Sequence, residues 1–288
     1  MKPAPFEYHD PRSIDEAVAL LARHGADAKV LAGGQSLIPL LAFRLARPAV
    51  IVDINRIPGL DYVRNEHEGL AIGALARQRQ LERWALDGSP FLCTALRHVG
   101  HAAIRTRGTI AGSIAHADPA AELPALLLCL DGSVMARSSS GQREIPAREL
   151  FVSHLTTAVR ADELITEVRL PGLPDGAGWG FLEVARRHGD FALVGVAAVV
   201  ALRNGRIAQA RVALFGCGAA PVRATPAEQA LAGQAPTRGT FAAAAREAAG
   251  TLTPDADLHA SAEYRRSVAH TLMVRALAAA SERARGPG

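Results

Sequence analysis

Lysine is nearly missing from this chain: of 32 basic side chains in 288 residues, only Lys2 and Lys29 are lysines and the rest are arginines. Aromatic residues amount to 5%, and the arginines are scattered among 28 acidic residues, leaving a formal charge of +4. A nucleic-acid surface combines a basic stripe with aromatic stacking platforms, so no partner of that kind is expected. Cysteine is scarce as well. Cys93, Cys129 and Cys217 lie far apart, which argues against a disulfide framework and leaves no four-cysteine set for an iron–sulfur cluster. The longest uncharged apolar stretch, Phe191 to Leu202, is too short to span a bilayer and reads as a buried strand. The first residues, Met1-Lys2-Pro3-Ala4-Pro5-Phe6-Glu7, hold no apolar core of signal-peptide length. The expectation is a reduced, cytoplasmic protein without a membrane span.

What is present is an ordinary globular balance, 49% hydrophobic and 21% charged, at a length that suits about two domains. Ser13-Ile14-Asp15-Glu16 opens a helix, Lys29 to Ala32 reads as a strand running into Gly33-Gly34, Ser36 to Leu45 as a second helix, and Ala49 to Ile54 as a second strand. A strand at Gly69–Gly73 and a largely helical stretch from Gln78 to Val99 follow. Asp118-Pro119 reads as a cap and first turn for a helix from Ala120 to Leu130. Further strands are expected at Ser133–Arg137 and Leu164–Leu170, and the Pro/Gly-rich segment from Leu170 to Gly178 is the best linker candidate. Beyond it, Asn204-Gly205 joins two strands in a hairpin, and three helices close the chain, the last presenting Val268, Leu272, Leu277 and Ala280 on one face.

Two small-residue segments could hold a ligand. Gly33-Gly34-Gln35-Ser36 lies between a strand and a helix start, where glycine allows close backbone approach and free N–H groups favour an anion. The plainer alternative is a turn capped by Ser36. Gly108 to Ser113 is a second such segment, and together the two could take both halves of a pyrophosphate. Neither matches the dinucleotide fingerprint or the Walker pattern. Gly216-Cys217-Gly218 lacks the third glycine and reads as a turn. His98, His101 and His116 show no paired zinc spacing, and Ser113 lacks the glycines of a nucleophile elbow.

The pair Ala32-Gly33-Gly34-Gln35-Ser36-Leu37 and Thr109-Ile110-Ala111-Gly112-Ser113, with Ala117-Asp118-Pro119-Ala120-Ala121-Glu122-Leu123-Pro124 after it, resembles the FAD-binding medium subunit of molybdenum hydroxylases, the family of aerobic carbon monoxide dehydrogenase and xanthine dehydrogenase. Asp162-Glu163-Leu164-Ile165, Arg169-Leu170-Pro171, Arg186 to Gly195 and Tyr264-Arg265-Arg266 follow in the family's order along nearly the whole chain. The resemblance implies an α+β protein: a two-part FAD-binding domain of PCMH type over residues 1–177 (about 1–56 and 57–177), then a C-terminal α/β domain over 178–288 with a small antiparallel sheet and three helices.

It also implies a site. Ala32 to Ser36, flanked by Leu31 and Leu37, would form the first pyrophosphate loop, and Thr109, Ala111, Gly112 and Ser113 the second. Asp118 would hold ribityl or ribose hydroxyls, and Lys29 a phosphate or the adenine side. Leu164 and Ile165 would lie against the isoalloxazine, with Phe191 beside the ring or, alternatively, packed in the core. Ala111 stands where the family commonly has glycine. Its methyl fits at negative φ and clashes in a left-handed turn, so its backbone conformation bears on flavin affinity. The implied role is to take electrons from a [2Fe–2S] small subunit and pass them to an external acceptor, while a molybdenum-cofactor large subunit hydroxylates the substrate. The alternatives are an assembly subunit that has lost the flavin and a free-standing FAD-dependent dehydrogenase.

Overall fold

The computed structural model describes residues 2–286. The first unit is built from β1 (Glu7–His9), α1 (Ile14–His24), β2 (Ala28–Leu31), α2 (Leu37–Ala42) and β3 (Val50–Asp53), with the three strands parallel in the order β1-β3-β2. The Ser13 hydroxyl caps α1 by accepting from the Glu16 amide at 3.1 Å. Ala17, Val18 and Leu21 then fall on one buried face of that helix. Helix α2 is shorter than the expected Ser36–Leu45. Arg44 takes φ +59° just past its end, and the Leu45 amide bonds back to the Leu40 carbonyl at 2.9 Å. This is a left-handed helix ending with arginine in the place glycine usually fills.

The second unit contains β4 (Val63–Glu66), β5 (Gly69–Gly73), α3 (Gln78–Gly88), α4 (Pro90–His98), α5 (Ala102–Arg107), α6 (Ile110–His116), α7 (Glu122–Cys129), β6 (Ser133–Ser138), β7 (Gly141–Pro146), α8 (Ala147–Leu150), β8 (Phe151–Ser153), β9 (Thr156–Thr157) and β10 (Leu164–Pro171). Five of its strands form an antiparallel sheet in the order β4-β5-β10-β6-β7. The second small-residue segment is the start of a helix rather than a loop, because the Thr109 hydroxyl caps α6 by accepting from the Gly112 amide at 3.0 Å. The helix expected from Ala120 begins only at Glu122, since Asp118 turns inward on the Ala120 amide at 2.8 Å and caps a tight turn instead.

The remainder is β11 (Gly178–Val184), β12 (Val194–Arg203), β13 (Arg206–Phe215), β14 (Val222–Arg223), α9 (Thr225–Leu231), α10 (Arg238–Thr251) and α11 (Ala262–Ala284). The strands form an antiparallel sheet in that order, and Asn204 and Gly205 turn the hairpin at φ +52° and +72°. Both faces of this sheet are covered. Phe181, Ala197, Val199 and Phe215 join the core that runs through the first two units, while Val196, Val200 and Leu214 pack with Phe241, Met273 and Leu277 of the last helices. On α11 the buried stripe runs through Ala269, Leu272, Met273, Ala276, Leu277 and Ala280. Val268, expected on that stripe, sits at its margin only partly buried.

Candidate functional site

The two small-residue segments meet backbone to backbone. A Cβ placed on Gly33 would stand 2.4 Å from the Arg107 carbonyl oxygen and 2.8 Å from the Gly108 Cα, so only glycine lets the first loop seat against the second. Gly34 follows at φ +74°, which turns the chain into α2. The Gln35 side-chain Nε2 donates to the Gly33 carbonyl at 3.0 Å and stiffens this turn. Leu31 lies half-buried beneath it, and the half-buried Leu37 opens the helix. The Ser36 hydroxyl makes no capping bond, so the plain capped turn is not what the segment forms.

A polar staple crosses the junction. Asn55 sits in the short 3-10 turn Ile54–Arg56 after β3 and donates to the Ala32 carbonyl at 2.8 Å. Arg77 donates to Asn55 Oδ1 at 2.7 Å and to the Arg107 carbonyl at 2.6 Å. One arginine and one asparagine thereby tie both loops. Behind them Asp53 accepts from the Asn55 amide and, at 2.6 Å, from the Tyr8 hydroxyl. Burial alone would raise the Asp53 pKa, but these hydrogen bonds outweigh it and hold the carboxyl below its ordinary range. Burial, with Arg107 close by, lowers the Arg77 pKa. Asn55 and Arg77 belong to no motif in the sequence. The one hint is a polar Asp53-Ile54-Asn55 directly after a strand that is otherwise apolar.

The other expected residues are distributed unevenly about this junction. Thr109 is buried with its oxygen engaged as the α6 cap, Gly112 supplies the capped amide, and Ser113 is half-buried one residue on. Ala111 is buried inside α6 and is absent from the positive-φ positions. Its methyl therefore fits, and the one feature that favoured a flavin-less chain loses its force. Lys29 is exposed in β2, two residues before Leu31. Leu164 and Ile165 are enclosed in the core at the start of β10. Phe191 is 57% exposed, so core packing is not its role.

Residues 4–173 match the model of the FAD binding domain in molybdopterin dehydrogenase, and residues 179–280 that of the CO dehydrogenase flavoprotein C-terminal domain. The chain belongs to the FAD-binding medium subunits of molybdenum hydroxylases. It is 46% identical to the 6-hydroxypseudooxynicotine dehydrogenase complex subunit alpha of Paenarthrobacter nicotinovorans, over 99% of this chain and 97% of that protein. It is 36% identical to the carbon monoxide dehydrogenase medium chain of Hydrogenophaga pseudoflava, over 97% of this chain and 98% of that one. Among solved structures, the carbon monoxide dehydrogenase of Hydrogenophaga pseudoflava that lacks the Mo-pyranopterin moiety superposes with a TM-score of 0.95 at 38% identity, covering 98% of this chain and 99% of that one. Quinoline 2-oxidoreductase from Pseudomonas putida 86 gives 0.92 at 36% identity, covering 99% of each. The protein is thus an oxidoreductase subunit with FAD as its cofactor.

The junction suits a medium subunit's cofactor. Among the described residues, no protein acceptor meets the backbone N–H groups of Gly34, Gln35 and Ser36. Consecutive free amides in a turn favour an anion, and the Arg77 guanidinium, bound to the Arg107 carbonyl that Gly33 faces, adds positive charge nearby. Toward the third sheet lies a second polar cluster. Glu122, at the start of α7, is buried, and that burial pushes its pKa up to about 8, with Glu183 and Asp118 adding to the rise. Glu183 pairs with His98 Nδ1 at 3.0 Å through one oxygen, while its other oxygen is buried without a partner. His116 is shifted the other way, its pKa lowered by burial against the pull of Asp118. Among the described residues, no three His, Cys, Asp or Glu side chains converge as a metal site. No described helix is long and apolar enough to cross a membrane.

Proposed function

We propose that this medium subunit holds the FAD pyrophosphate between the Ala32–Ser36 loop and the start of α6, takes electrons from a [2Fe–2S] subunit and passes them to an external acceptor. The observation that carries the reading is the approach of Gly33 to Arg107 and Gly108, which brings together two segments distant in sequence. In this reading the amides of Gly34, Gln35 and Ser36 and the Ser36 hydroxyl bind phosphate oxygens. The α6 segment supplies the opposite wall through Thr109, Ala111, Gly112 and Ser113. Leu31, Ala32 and Leu37 line the first loop.

Lys29 supplies a positive charge on the adenine side. Asp118, with one carboxylate oxygen on Ala120, has acceptor capacity left for a ribityl or ribose hydroxyl. Ile165 and Leu164 back the isoalloxazine from the core, and the exposed Phe191 covers the ring. The bound flavin supplies the redox chemistry, while the chain contributes binding, orientation and electrostatics. The division at 177/178 separates these contacts from a C-terminal domain that Phe191 alone enters. The relatives named as subunits of a complex or as medium chains support the same assembly here, with a [2Fe–2S] small subunit and a molybdenum-cofactor large subunit in the cytoplasm.

The test is to purify the chain with its partner subunits and record its visible spectrum and FAD content. Stoichiometric FAD, reduced when the molybdenum subunit receives substrate, is the expected result. A complex that turns over substrate with no flavin in this chain contradicts the reading.

A further inference from the structure

The loop that joins β11 to β12 lies on the turn between α4 and α5, and three contacts seat it there. Glu183, next to the end of β11, places Oε1 3.0 Å from His98 Nδ1. The His98 ring stacks on that of His188, with centroids 6.1 Å and planes 16° apart. Gly189, at φ +88°, packs on His101: a Cβ built there would stand 2.8 Å from His101 Cε1 and 3.1 Å from the Gly100 carbonyl carbon. The seat itself is rigid. Arg105 pairs with Glu82 at 3.0 Å and donates to the Val99 and Gly100 carbonyls at 2.9 and 3.0 Å. The Leu193 amide closes the neck of the loop on the Val184 carbonyl at 2.7 Å, and Arg186 reaches His259 on the C-terminal side at 3.2 Å. Among the described residues, no backbone hydrogen bond ties residues 185–192 to the first two units. The placement of the loop on those units therefore rests on two histidines.

We propose that His98 and His101 are positioning residues, seating the 185–192 loop so that Phe191 stands ready over the isoalloxazine before the cofactor arrives. The inference rests on the reading above in which Phe191 covers the ring. Phe191 is 57% exposed, and a phenyl ring left in water gains little from where it stands. Its place in the free chain is thus set by the seat of its loop. Glu183 couples that loop to His98 strongly: its side chain is 5% exposed, and its second carboxylate oxygen is buried with no partner. A buried carboxylate cannot lose its one charged neighbour without large cost, so the end of β11 follows His98. Gly189 adds a steric fit that a side chain would spoil. Ordering the loop in advance spares part of the cost of ordering it on binding. The first two units thereby supply the seat, and the C-terminal sheet supplies the aromatic ring.

The experiment compares the natural full-length chain with H98L, G189A, F191A and the pairs H98L/F191A and G189A/F191A. Hydrogen exchange of the deflavinated chain reads the seat without the cofactor: amides of 185–192 should exchange roughly tenfold faster in H98L and in G189A. In FAD titrations F191A should weaken binding by about tenfold, the upper worth of one aromatic contact. H98L and G189A should each cost about fivefold, and each pair no more than F191A alone, because the histidines act through that ring. The resolved shoulder on the long-wavelength flavin band should blur alike in all five variants as water reaches the ring. G189A leaves the Glu183–His98 pair untouched, so the test stands if H98L misfolds. The proposal is overturned if folded H98L or folded G189A keeps the natural exchange rates and FAD affinity. It is equally overturned if their losses add to that of F191A, which is how a merely structural defect behaves. A chain that takes up no FAD but shows the loosened loop contradicts the flavin reading alone, and a flavin-bound chain indifferent to the substitutions contradicts this proposal alone.

Discussion

Arg77 donates to Asn55 at 2.7 Å, and that single bond connects the loop after β2 to the residues that open α6. Asn55 reaches the Ala32 carbonyl and Arg77 reaches the Arg107 carbonyl, so each holds one wall of the proposed pyrophosphate cradle. Asn55→Ala and Arg77→Ala should each weaken FAD binding about tenfold or more, the double variant falling short of the sum because the two act through a shared bond. Fluorescence titration of the deflavinated subunit checks this, together with retained helical circular dichroism.

Ala111→Gly should leave FAD affinity within about twofold while lowering stability by roughly 1 kcal/mol, the ordinary cost of glycine within a helix. The reason is that Ala111 is helical and buried. Chemical denaturation combined with the same titration separates the two effects. A marked gain in FAD affinity would show that the methyl obstructs the cofactor after all.

Glu122 predicts a pH dependence. Its folded pKa is about 8, against an ordinary value of 4.5, so between those limits the folded chain keeps a proton that the unfolded chain releases. Stability from this group is therefore full at low pH and falls as pH rises through the window. Glu122→Gln should remove that slope and stabilise the protein at pH 8 by on the order of a few kcal/mol. Melting temperatures of both forms at pH 5 and pH 8 provide the check; parallel behaviour of the two would mean that Glu122 is ionised in the folded chain.

Lys29 is one of only two lysines, and it stands exposed on the edge strand that feeds the first loop. Lys29→Ala should weaken FAD retention severalfold, and more at low salt than at high salt. Unchanged affinity at every ionic strength would make Lys29 an ordinary surface residue.

Much of this fold is legible in the chain's own chemistry. The Ser13 cap, the buried Val50–Asp53 strand, the Asn204-Gly205 hairpin and the three closing helices follow from caps, periodicity and turn residues, which act over a few positions. The strand Glu7–His9 is less visible, because its partner strand Val50–Asp53 lies far along the sequence. Asp118-Pro119 looks like a helix cap, and only the packing of the next turn shows the helix starting at Glu122. The site divides the same way. The glycines announce the two loops, but the Asn55–Arg77 staple is a tertiary arrangement of common residues, and no spacing rule points to it.

The most direct test of the cradle is FAD affinity in Gly33→Ala. The added methyl falls 2.4 Å from the Arg107 carbonyl, so the first loop has to withdraw from the junction between α5 and α6. The account predicts a chain that still folds and loses FAD binding by about a hundredfold, equivalent to ~2.7 kcal/mol. A folded Gly33→Ala chain that binds FAD as tightly as the natural one would contradict it.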